Sequence, residues 1–185
     1  TVPANHLERV LWGEAERMGS LVIDDANFKS ERDVVKEEFR QSILSNPYGK
    51  LLGLYMAQSG FSVHPYGRPG IGSIEQLDAA TVEDVRAFHA AYYRPDNAIL
   101  VVSGNFNEAQ LEGYAEKYFA PIKTPKRAIP RVTAVEPPRT EAKSYTVYEP
   151  NVSLPAVAVS WPQPDANSPD IAAIMMMDAI LTSGQ

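Results

Sequence analysis

The stretch AILVVSG, residues 98–104, carries an unbroken aliphatic run from Ile99 to Val102 closed by Ser103 and Gly104. A run that short, rich in β-branched residues and bounded by turn signals, reads as a fully buried strand. Just before it, YYRPDN ends a helix at Pro95, because the residue ahead of a proline is pushed out of the helical region. That helix is expected over 82–92, opened by a capping box of Thr81 and Asp84, with Val82, Val85, Phe88, His89 and Tyr92 on its stripe. His89 there reads as a hydrogen-bonded boundary residue. After Gly104, Asn107 caps another helix that turns Leu111, Tyr114, Ala115 and Tyr118 inward. Helix, strand and helix in succession make an α+β unit.

Upstream, residues 5–18 read as a helix with Asn5 as N-cap, Leu7, Leu11 and Met18 on an apolar stripe, and Gly19 as its stop. A second helix runs from about 24 to Ser42, capped by Asp24, Asp25 or Ser30. A third covers 47–58, with Asn46 as cap and Pro47 at the first helical position. HPYGRPGIGS, residues 64–73, holds three glycines and two prolines and is a loop, with His64 in a turning role. It lacks the Gly-Lys-Ser/Thr of a phosphate loop.

The second helix contains ERDVVKEEFR, residues 31–40. Positions i, i+3, i+4 and i+7 share a helix face, so Glu31, Val34, Val35 and Glu38 point one way, with both valines expected to be buried. A carboxylate on a buried stripe needs a cation, a donor cluster or a metal. The alternative is a boundary helix whose acids reach water at the stripe's edge.

Beyond the first unit, TPKRAIPRVTAVEPPRT at 124–140 carries four prolines and four basic residues without a sustained period, and reads as a linker between residues 1–123 and 141–185. KSYTVYE and PAVAVSW are strand candidates, and a helix opens at Ser168-Pro169. Its methionines, Met175 to Met177, read as core packing. Too few strands follow to cover that helix, so the chain looks like part of a longer polypeptide.

With 44% hydrophobic and 22% charged residues, the chain fits a soluble globular protein. A net charge of −6 and the lack of a Lys/Arg cluster argue against nucleic acid and acidic lipid as partners. No apolar run approaches the about 20 residues that span a bilayer, so membrane insertion is not expected, and no signal-peptide pattern opens the chain. Without cysteine, any metal must be held by His and carboxylate oxygen, and His6, His64 and His89 are too scattered for a paired helical motif.

In order along the chain, VPANHLERVLWGEAERM, NFKSERDVVKEEFR, NPYG, HPYGRPGIGS, YYRPDNAILVVSGN and AVAVSWPQP resemble the insulinase-like M16 zinc metallopeptidases. The resemblance spans nearly the whole chain and is strongest to bacterial members, with likeness also to the mitochondrial processing peptidase. It implies helices packed on a mostly antiparallel sheet in paired homologous domains, the later part of a first domain at 1–123 and the start of a second at 141–185. In that family an inverted motif, H-x-x-E-H, supplies two zinc-binding histidines and the glutamate that activates water. A glutamate of a later helix is the third ligand. Carried onto this sequence, the resemblance makes Glu38 that zinc ligand and Glu31 the supporting acid. Seven residues separate them by about 20° around a helix and roughly 10 Å along it, so they are not equal ligands of one ion.

H-x-x-E-H itself is absent, since His6 begins HLERV. The expectation is therefore a part of a zinc endopeptidase acting on peptides or unfolded polypeptide segments, inactive alone and without stably bound Zn2+. The alternative is a non-catalytic subunit that binds substrate or scaffolds a complex. A homo- or heterodimer or a two-half chamber is the implied assembly. Periplasmic placement is expected, with cytoplasmic as the alternative.

Overall fold

The computed structural model describes residues 1–183, which divide into two compact units. Unit 1 comprises Thr1–Phe39 and Ile71–Thr133. Its helices are α1 (Leu7–Gly19), α2 (Asp25–Phe39), then α4 (Ile74–Ala79), α5 (Val82–Tyr92) and α6 (Glu108–Phe119), with α3 (Met56–Gly60) belonging to the other unit.

Local capping explains where these helices start. Asp24 accepts the amide of Asn27 at 2.8 Å and opens α2, which settles the choice among the three candidate caps. Thr81 and Asp84 form the full capping box of α5, and Asn107 accepts from Gln110 to open α6. Ser73 caps α4, a single-turn helix that its short apolar pattern did not announce. Asn5 lies inside a 3-10 turn, Ala4–His6, rather than capping α1.

Packing in unit 1 pairs α1 with α6 and α2 with α4. Leu11, Ala15, Phe39, Val82 and Ala91 are its buried apolar residues. Gly19 lies beside the Ile122 side chain, which a β-carbon there would meet in ordinary van der Waals contact at 3.4 Å. Across the α1–α6 pair, Glu8 accepts from the Lys117 ammonium at 2.9 Å and from the Tyr118 hydroxyl at 2.8 Å. From α5, the His89 ring meets the Arg17 carbonyl at 2.9 Å, the boundary role read from its stripe.

Unit 2 comprises Arg40–Gly70 and Ala134–Gln185. It holds two π-helical stretches, Arg40–Leu44 and Leu51–Tyr55, then α3 (Met56–Gly60), a 3-10 turn Pro65–Gly67, and α7 (Ile171–Thr182). The hairpin of the two π-helical stretches closes at Gly49, where a β-carbon would lie 2.4 Å from the Ile43 carbonyl oxygen. Only glycine tolerates that approach. The Glu149 carboxylate joins the hairpin by accepting from Lys50 and Tyr55, both at 2.8 Å.

No strand and no sheet occur among the described residues, which corrects the expected α+β architecture with a mostly antiparallel sheet. Residues 98–104 form no ladder, and Ile99 and Val101 are 90% and 81% exposed rather than buried. KSYTVYE and PAVAVSW likewise remain without regular structure. β-propensity expresses packing against cross-strand neighbours, so aliphatic segments without a paired neighbour gain nothing from it. Two further expectations fail on exposure: Val34 is 58% exposed, and Met175 to Met177 on α7 face water instead of a core.

Candidate functional site

On α2 the inward stripe is Phe28, Arg32, Val35, Lys36 and Phe39, one helical step away from the stripe read from sequence. Phe39 is buried at the end of this stripe. Lys36 reaches Asp78 of α4 with its Nζ 2.6 Å from Oδ1. The Arg32 guanidinium lies 5.4 Å from the Phe28 ring centre, and its Nε is buried without a hydrogen bond. Long basic side chains can line a packed face because their aliphatic stems cover apolar surface while the charge reaches a partner or the rim.

That rotation decides where the two candidate acids lie. Glu31 and Glu38 are both exposed, on the face of α2 that also carries exposed Val34. Seven residues apart, they stand about 10 Å from each other along the axis, too far to be equal ligands of one ion. Among the described residues no group of three or more His, Cys, Asp or Glu side chains could hold a metal ion. A catalytic zinc draws three protein ligands, so these residues do not by themselves meet its requirement. Two of the histidines are engaged otherwise: His89 at the Arg17 carbonyl, and His64 through Nδ1, which accepts the Tyr66 amide at 3.2 Å.

Sequence reasoning missed the polar clusters that the fold assembles. Arg94 is the buried charged residue of unit 1, and its guanidinium donates to both Asp96 oxygens and to the carbonyls of Pro125 and Arg127. Hydrogen bonding to Arg94 lowers the Asp96 pKa. In unit 2 the Glu136 carboxylate accepts from the amides of Ser62, Val63 and His64 and from the Ser62 hydroxyl. The His64 amide, then the Ser62 hydroxyl, brings the Glu136 pKa down to about 2. Glu149 is also lowered, by Lys50 first and then Tyr55. Apart from Asp96, these partners come from sequence positions too remote for any local pattern to connect.

Comparison with known proteins places this geometry in a lineage. Residues 79–185 match the family described as "Peptidase M16 inactive domain". The zinc protease PqqE of Helicobacter pylori is 31% identical over 181 residues, covering 97% of this chain and 40% of that protein. The beta subunit of the mitochondrial-processing peptidase of Saccharomyces cerevisiae is 24% identical over 153 residues, covering 78% of this chain and 32% of that protein. The crystal structure of a protease from Helicobacter pylori superposes with a TM-score of 0.67 at 32% identity, over 74% of this chain and 33% of that one. The chain thus spans two fifths or less of the length of each of these relatives.

Proposed function

Because the chain belongs to the M16 peptidase family, we propose that it is the part of a zinc-dependent endopeptidase that contributes one carboxylate ligand to the metal. Glu38 is that ligand and Glu31 the acid that supports it. The observation that carries this reading is their shared exposed face on α2, available to a neighbouring element because the helix packs through Val35, Lys36 and Phe39 instead. Glu38 would supply one carboxylate oxygen to the metal, and a zinc ion completed by ligands from elsewhere would supply Lewis-acid activation of water and of a peptide carbonyl. The remaining ligands come from outside the described residues, and no catalytic step is assigned to this chain alone. The substrate is a peptide or an unfolded polypeptide segment, and the periplasm is the proposed compartment.

The test is zinc content and peptide turnover of the full-length protein, compared with its Glu38→Gln and Glu31→Gln variants. Glu38→Gln removes the charged ligand and is expected to abolish most metal and activity. Glu31→Gln retains more zinc, with a loss of about 10- to 100-fold in affinity or activity. Full zinc and normal turnover in Glu38→Gln would sink the assignment.

A second reading is a non-catalytic subunit that binds substrate or scaffolds a dimer or two-half chamber. It is favoured by the match to a domain described as inactive, over residues 79–185, a range that contains neither Glu31 nor Glu38. On that reading the unsubstituted full-length protein itself holds no zinc and turns over no peptide.

A further inference from the structure

The Glu136 carboxylate is held by a fork of four donors, two on each oxygen. Oε1 accepts the Ser62 amide at 2.6 Å and the Ser62 hydroxyl at 2.5 Å. Oε2 accepts the Val63 amide at 2.9 Å and the His64 amide at 2.7 Å. Three successive amides converge on one anion, the geometry of a backbone concavity that binds anions. None of the three residues belongs to a helix; they precede the turn Pro65–Gly67. Pairing each oxygen with two donors matches a carboxylate, and backbone capture of a peptide carboxylate is a known recognition mode.

Glu136 is delivered by a segment without regular structure, residues 134–140. It is fastened a second time where the Arg139 guanidinium donates to the Gly60 carbonyl at the end of α3. A cleft of about 180 Å³ adjoins the fork, lined by Ser59, Phe61, Pro138, Arg139 and Lys143 among others. Its wall carries Arg139 and Lys143 but also Glu136 and Glu141, so the cations outnumber the carboxylates only when Glu136 is withdrawn. The fork and the cleft lie wholly within unit 2.

We propose that the amides of Ser62, Val63 and His64, with the Ser62 hydroxyl, form a carboxylate-binding site that Glu136 fills from within the chain and that a peptide carboxylate occupies in its place. The incoming group is either a chain-terminal carboxylate or an Asp or Glu side chain. Intramolecular tethering gives Glu136 the advantage, so an outside carboxylate binds when residues 134–140 lift away. This site is separate from the acids of α2 and stands whether or not they bind zinc.

Glu136→Ala deletes an acetate ion's worth of atoms, so acetate should refill the fork. The experiment follows the backbone amide resonances of Ser62, Val63 and His64 during titration of this variant with sodium acetate, with sodium chloride at matched ionic strength as control. A saturable shift of all three amides by acetate, with a midpoint on the order of millimolar, is expected. The wild-type chain should respond only at higher acetate concentration, because tethered Glu136 competes for the same amides. A peptide with a free C-terminus and a capped peptide carrying Glu should each reproduce the shift, whereas the fully capped neutral peptide should not. Binding by one carboxylate peptide and not the other identifies the source and still supports the site. No acetate response, an equal response to chloride or to the neutral peptide, or an equal response in wild type overturns the proposal. Should Glu136→Ala lose its fold, acetate-specific recovery of the far-ultraviolet helical signal reads the same site, and its absence counts equally against it.

Discussion

The ammonium of Lys36 lies 2.6 Å from the Asp78 carboxylate, and the Lys36 side chain is only 16% exposed. This pair links α2 to α4 on the face of α2 that also buries Phe39. A charged residue thereby occupies the inward stripe, and the valine at position 34 is turned out beside two glutamates.

Because α2 packs through that face, truncations on its two faces will differ sharply. Phe39→Ala removes a side chain that is 6% exposed and should cost about 3–5 kcal/mol in urea unfolding. Val34→Ala, at 58% exposure, should stay within about 0.5 kcal/mol. The opposite ranking would restore the valine-inward face.

Acid should loosen unit 2 through Glu136. Its folded pKa is about 2, below the ordinary 4.5, so its contribution is complete above about pH 4.5 and is lost as pH falls through 2. Amide exchange at Ser62, Val63 and His64 should therefore be pH-independent in protection from neutrality to about pH 5, then lose protection between about 4.5 and 2. In Glu136→Gln this acid-dependent step should vanish. Its persistence would assign the step to another carboxylate.

Trypsin reads the Arg94 clamp directly. The carbonyl of Arg127 belongs to the bond that trypsin would cut after that residue, and it is held by the Arg94 guanidinium at 2.6 Å. Limited digestion should start within 124–140, where most residues are exposed, but cut after Arg131 before Arg127. Arg94→Lys cannot reproduce the fork of contacts and should raise cleavage after Arg127 several-fold, by mass-spectrometric fragment timing. Unchanged cleavage there would mean that the clamp does not restrain the segment.

Helix placement was largely legible because its signals are local. Thr81 and Asp84 mark the start of α5, and Leu111, Tyr114, Ala115 and Tyr118 are the half-buried side of α6, as their spacing requires. Strands were misread because AILVVSG declares only that it is apolar, while a strand exists only with a partner beside it. The face of α2 was misread for a related reason: hydrophobicity favoured Val34, but Asp78, some forty residues away, supplies the partner that draws Lys36 inward. Glu31 and Glu38 could be singled out from spacing, yet their exposure depends on which face of α2 packs, and that face is the one carrying Lys36 and buried Phe39. Glu136 carried no local sign, since its donors lie more than seventy residues earlier.

The outward methionines of α7 give the chain an oxidation chemistry. There is no cysteine, so its sulfur resides in five thioethers. Met18 and Met56 are half-buried, whereas Met175, Met176 and Met177 are 67%, 64% and 54% exposed. Peroxide will reach those three first and convert them to sulfoxides, turning an apolar stretch of helix polar. Air-aged preparations will then differ from fresh ones in the stickiness of this single helix, and methionine sulfoxide reductases would be the enzymes able to restore it.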